Sequence, residues 1–128
     1  MGTFASVHID DLVPEARIDH AVAQVFCELE RIEALFSTFR YGSEVSRINR
    51  GELTLLGASV EVLEVLDACT WLEHASGGSF RARRPDPPYL LDPAGFVKGW
   101  AAERAAEHLD RAGLGAWYLW VGGDLLAR

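Results

Sequence analysis

At 128 residues with 49% hydrophobic content, the chain is long enough to bury the core of one domain and too apolar for a disordered tail. A formal net charge of −7 excludes a nucleic-acid surface, which needs a basic face to displace counterions, so any phosphate must be held by a local site. No apolar run approaches the ~18 residues of a membrane span, and no basic-then-apolar leader opens the chain, so a cytoplasmic location is expected.

In chain order, residues 2–9 alternate in the manner of a half-buried strand that stops at Asp10 and Asp11. Pro14 suits the first turn of a helix, which Ile18, Val22, Val25, Leu29, Ile32 and Phe36 continue at spacings of three and four. Glu28, Glu30, Arg31 and Glu33 fill its opposite, solvated side. Helical periodicity is then lost from Ser37 to Leu56, where Gly42 and Gly51 punctuate a polar loop and Leu53 and Leu55 suggest a short strand. Ser59 is placed to cap a second helix with Val62, Leu63, Leu66, Cys69, Thr70 and Leu72 inside, and Gly77 to end it in the left-handed conformation.

The stretch Arg81 to Pro88 reads as a proline-stiffened surface loop. A third helix is expected from about Lys98 to Ala112, stopped by Gly113, and a last strand from Ala116 to Val121, turning at Gly122 and Gly123. This order predicts an α+β domain with helices packed on a small mixed or antiparallel sheet. Cys27 and Cys69 both fall on apolar-looking helical faces and are expected to be buried thiols, which leaves the redox compartment open.

Of 12 basic residues 11 are arginine, so the single lysine, Lys98, stands out. It follows a turn built on Asp92, Pro93 and Gly95, about one turn into a helix, where the helix dipole disfavours a cation unless an anion lies nearby. Free backbone N–H groups beside one cation form the seat an anion or nucleotide phosphate needs. Asp92 alone reads as a cap or Asx-turn residue. Ser37, Thr38 and Phe39 put two hydroxyls beside an aromatic ring, a set able to bond to and stack on a flat heterocycle. Ser43, Glu44, Ser46 and Asn49 read as loop scaffold. His8, His20, His74 and His108 show no metal-ligand spacing.

Asp92, Gly95, Lys98, Gly99, Trp100, Ala101 and Glu103, followed by Gly113, an apolar strand and Gly122, Gly123 and Asp124, resemble the D-x-x-G-x-x-K-G-[WY]-A-x-[DE] … G-G-D signature of the ApbE family, the FAD:protein FMN transferases. Met1, Gly2 and Thr3 are similar to that family's M-G-T opening, and Gly77, Gly78, Ser79 and Phe80 to its G-G-x-F. Phe36, Ser37, Thr38, Phe39, Ser43, Glu44, Ser46 and Asn49 are similar to its F-S-x-[FY]-x-x-x-S-E-x-S-x-x-N.

The resemblance implies an ApbE-like, T-fold-like α+β half and a magnesium-dependent transfer of FMN from FAD to a Ser or Thr of a flavin-accepting target protein. Met1, Ser37, Thr38, Phe39 and Lys98 would bind FAD, and the loop carbonyl of Gly95 would supply one magnesium ligand. Relatives are often exported or lipid-anchored. Arg81 stands where the resemblance puts an aspartate, reversing the charge, so Arg81, Arg83 and Arg84 read first as a solvated arginine loop and, as the alternative, as a grip on a pyrophosphate. Family members continue past the G-G-D strand into a segment that completes the magnesium site, so the chain is expected to be a truncated domain that carries no catalytic residue of its own. The alternative is a non-catalytic flavin- or nucleotide-binding remnant that associates, with a second copy or a completing segment, through an open sheet edge.

Overall fold

The computed structural model of the chain describes residues 4–128, so the M-G-T opening and the flavin contact expected at Met1 lie outside the described residues. The elements run β1 (Ala5–Ile9), α1 (Glu15–Phe36), α2 (Glu44–Asn49), a 3-10 turn (Leu55–Gly57), α3 (Val60–Ala75), α4 (Ala94–Arg111), β2 (Trp117–Val121) and β3 (Asp124–Ala127). The expected α+β class is what the chain adopts, with one sheet of three strands, all antiparallel, in the order β1-β2-β3. Two compact units divide the residues: 33–97, and 4–32 together with 98–128.

In the unit formed by 4–32 and 98–128, Ala5 to Ile9 pair with Val121 to Trp117, and Tyr118 to Val121 pair back with Ala127 to Asp124. Trp117, Leu119 and Val121 point inward while Tyr118 and Trp120 stay exposed, the period-two alternation of a sheet covered on one face. Gly122, at φ 62, is the first residue of the two-residue turn joining β2 to β3, a conformation a side chain would strain. β3 is not among the strands expected from the sequence.

Of the stripe expected on α1, Val25, Leu29 and Ile32 are buried here, whereas Ile18 and Val22 are only half-buried and Ala21, not expected, is buried beside them. On α4, Ala101, Ala102, Ala105, Ala106 and Leu109 are buried, a face of small side chains that lets neighbouring backbone approach closely. Glu28 corrects the expectation of a fully solvated acidic side. Its side chain is 14% exposed, bonded to Arg31 at 2.7 Å and within 3.8 Å of both Arg104 and His108 of α4. The Arg31 hydrogen bond first, then the charge of Arg31 and the nearness of His108 and Arg104, hold its carboxyl below the ordinary value of 4.5. Asp11 accepts the Gly115 and Ala116 amides at 2.8 and 3.0 Å, bonds that also lower its pKa. Cys27 is exposed, against expectation, because its place on α1 lies off the buried stripe.

In the unit 33–97 the buried apolar residues are Phe36, Val45, Val62, Val65, Cys69, Leu91, Pro93 and Val97. Ser59 caps α3, accepting the Val62 amide, and Gly77 follows the helix at φ 64, both as the sequence predicts. The inner face of α3 is narrower than expected: Val62, Val65 and Cys69 are buried, whereas Leu63 and Thr70 are exposed. Burial of Cys69 pushes its thiol up to about 11.

Two local expectations in this unit are overturned. Residues 44–49 form a helix rather than a loop, nucleated when the Ser43 hydroxyl accepts the Ser46 amide at 3.1 Å. The strand expected at Leu53 and Leu55 is a 3-10 turn, capped by the Thr54 hydroxyl on the Gly57 amide. Helix α4 also starts four residues before Lys98. The Pro93 carbonyl accepts the Phe96 and Val97 amides at 3.0 Å, so Gly95 is a helical residue and not part of a turn.

Candidate functional site

Ser37 closes the last turn of α1, donating its amide to the Glu33 carbonyl at 3.0 Å, and anchors residues 38–46. Its carbonyl accepts the Ser43 hydroxyl at 2.5 Å and the Ser46 hydroxyl at 3.1 Å, and its own hydroxyl accepts the Phe39 amide at 3.2 Å. Ser37 is 2% exposed, so its side of this network is shielded from water. The consequence is a fixed Thr38–Phe39 bend with the Phe39 ring 83% exposed. Glu44 ties the same region to the start of α3, accepting the Ser59 amide at 2.7 Å.

Asn49, at the end of α2, makes a two-way clamp on Leu91. Its Nδ2 donates to the Leu91 carbonyl at 2.9 Å while its Oδ1 accepts the Leu91 amide at 2.8 Å. Both backbone groups of a buried residue are thereby satisfied by one side chain. Ser43, Glu44, Ser46 and Asn49 thus form the scaffold the sequence predicts.

At the Thr38–Phe39 bend and the clamped Leu91 lies a cleft of about 290 Å³ lined by Thr38, Phe39, Ser46, Asn49, Arg50, Arg84, Leu90 and Leu91. Its volume is at the lower edge of small-molecule sites, ~300–1,000 Å³. Arg50 stacks over the Tyr41 ring at 3.6 Å and bonds Glu52 at 2.8 Å. The cleft therefore combines an exposed ring, a hydroxyl and two guanidinium groups.

Thr38 and Phe39 are brought together here, whereas Ser37, Gly95 and Lys98 are not among the lining residues. Gly95 is the second residue of α4, where a carbonyl is engaged by the amide four residues on, and a Cβ placed there would meet the Phe80 ring. Lys98 is the fifth residue of α4 and half-buried. Asp92 takes the Asx-type role expected of it, accepting the Ala94 amide at 3.4 Å. Arg50 and Leu90 are not singled out by the sequence, which offers no signal that places Arg50 opposite residues 84–91.

The α+β fold of this chain is that of flavin transferases of known structure. It superposes on the Vibrio cholerae flavin transferase ApbE over 100% of its length with a TM-score of 0.81 at 18% identity, and equally well on a point mutant of that protein. The apo flavinyl transferase ApbE of Pseudomonas stutzeri matches over 98% of the chain, with a TM-score of 0.73 at 16% identity. The chain spans 56–60% of the length of these structures. No curated protein sequence gives a match. The ApbE family model matches residues 1–83, about two thirds of the chain, which belongs to the ApbE family.

Proposed function

We propose that this chain is the nucleotide-binding portion of an FAD:protein FMN transferase, whose reaction moves FMN from FAD onto a Ser or Thr hydroxyl of a target protein. In that reaction the hydroxyl oxygen forms a bond to the FMN phosphorus, the bond from that phosphorus to the bridging oxygen breaks, AMP leaves, and the hydroxyl proton is released. The observation that carries the reading is the cleft at Thr38 and Phe39, built by a family motif and walled by Arg50 and Arg84. Phe39 would stack on a ring of the dinucleotide, Thr38 would hydrogen-bond its edge, and the arginines would offset its phosphate charge. Ser37 would act by fixing the bend that carries them. Met1 and Lys98 are assigned to the same ligand by family resemblance.

Magnesium does not fit the residues at hand. Among the described residues no three His, Cys, Asp or Glu side chains gather, both Asp92 oxygens are engaged, and the Gly95 carbonyl lies within a helix. A magnesium ion needs near-octahedral oxygen ligation, so no step is assigned through it here. Transfer would depend on donors supplied by a completing segment.

Quenching of flavin fluorescence on titrating FAD into the chain tests the reading. Binding is expected, weakened about fivefold or more by Phe39→Ala, as loss of a stacking ring costs ~1–3 kcal/mol. Undiminished binding by that variant, or no binding at high micromolar FAD, rejects it. A flavin-accepting peptide mixed with the chain, FAD and magnesium is expected to stay unlabelled.

A second reading, a non-catalytic flavin or nucleotide binder that associates through its sheet, is favoured by one observation. In the three-stranded sheet both β1 and β3 have an unpaired edge among the described residues, beside exposed Tyr118, Trp120 and Leu125.

A further inference from the structure

Residues 79–92 form a second cavity of about 280 Å³, lined by Ser79, Arg81, Arg83, Arg84, Pro85 and Asp92. Arg84 also lines the Thr38–Phe39 cleft, so the two share a wall. Three arginines and one aspartate line this space in a chain whose net charge is −7. The carboxylate is already occupied: Asp92 accepts Arg84 at 3.3 Å with one oxygen and the Ala94 amide with the other. Within the cavity wall, the charge of Arg81 and Arg83 is left without a carboxylate to balance it.

These guanidinium groups are held by one edge each. Arg81 donates Nε to the Gly78 carbonyl at 3.2 Å, and Arg83 donates Nη1 to the Tyr89 carbonyl at 3.2 Å. A guanidinium has five N–H donors, so most of each fork stays available. The loop beneath is tied down. Arg84 and Leu90, Ala82 and Asp92, and Asp86 and Tyr89 are joined by backbone bonds of 2.6 to 2.9 Å, and Asn49 clamps Leu91. Tyr89 sits at φ 56, a left-handed conformation uncommon for a bulky residue, which turns its carbonyl to Arg83.

We infer that Arg81, Arg83 and Arg84 form an anion subsite for a phosphate group, free or as the ester of a small molecule, beside the Thr38–Phe39 cleft. Anchored arginine forks match the planar edge of a phosphate and bind it through charge-assisted bonds. The subsite stands on its own residues; only the identification of its ligand with a flavin nucleotide rests on the function proposed above.

Calorimetric titration of the full chain with inorganic phosphate, pyrophosphate, AMP and adenosine tests this. Phosphate, pyrophosphate and AMP are expected to bind, more weakly at high salt, and adenosine not at all. AMP binding tighter than phosphate assigns the site to a nucleotide ester, and equal affinities assign it to the free ion. Arg81→Gln and Arg83→Gln, both at exposed positions, should each weaken pyrophosphate about tenfold without moving the melting temperature. In the unsubstituted chain, pyrophosphate should protect Arg81 and Arg83 from phenylglyoxal, read by mass spectrometry.

Absence of pyrophosphate binding, or binding unchanged in both variants with no protection, overturns the subsite. A polyglutamate peptide that binds as tightly and is lost in the same variants overturns the ligand class. Riboflavin, which carries no phosphate, separates the two readings. Flavin quenching without pyrophosphate binding removes this subsite and keeps the cleft, and pyrophosphate binding without quenching does the reverse.

Discussion

Asn49 shows how much one side chain does at this site. Two hydrogen bonds hold the backbone of buried Leu91, so Asn49→Ala strands a buried N–H and a buried carbonyl together. Each lost bond costs ~0.5–1.5 kcal/mol, more where the partner stays buried and unmet, so a loss of about 2–3 kcal/mol is expected in urea denaturation. Asn49→Asp keeps the acceptor alone and should fall between. The two cysteines give a second prediction. Exposed Cys27 should react promptly with a disulfide reagent, while Cys69, buried with its thiol at about 11, should react only once the chain is unfolded. One thiol titrated in the native chain and two in denaturant is the expected result. Two in the native chain would contradict the burial of Cys69.

Among the elements, α1 was legible because six apolar residues repeat at helical spacing over five turns, a signal no loop imitates. Helix α2 was not, since six residues give less than two turns and its start rests on one serine. The start of α4 was misplaced for a related reason. Pro93 and Gly95 read as turn residues, although proline directly before the first helical residue is also a helix-start signal. β3 is four residues long and follows two glycines, so no alternation accumulates. Glu28 illustrates a further limit: periodicity placed it on the polar side, but only the approach of α4 brings Arg104 and His108 to it. Its folded pKa is lowered from 4.5, so its stabilising contribution is complete above that value and is lost as pH falls through the folded pKa. Glu28→Gln should therefore flatten the fall in urea midpoint below about pH 4.5. An identical acid slope in both proteins would refute this.

For the whole molecule, the family and fold class were legible from motifs spread along the chain, even though overall identity to the solved structures is 16–18%. The cleft and the arginine cavity were not. Asn49 and Leu91 lie 42 positions apart, and only folding shows that one grips the other. The open sheet carries the prediction at this scale. Tyr118, Trp120 and Leu125 are 41%, 52% and 60% exposed on one face with an unpaired edge beside them, so sedimentation should show the mean mass rising with concentration. Leu125→Lys should suppress that rise. A single monomeric species in both proteins at all concentrations would exclude association through the sheet.

Three exposed cationic forks on one loop of an otherwise acidic molecule would act as a size filter. A long polyanion would meet the overall negative charge over its whole length, whereas a compact one would lie within the ~8 Å over which physiological salt leaves charges visible and would sense mainly the arginines. The proposed subsite would thereby favour small phosphorylated molecules over a long nucleic acid through the same charge distribution.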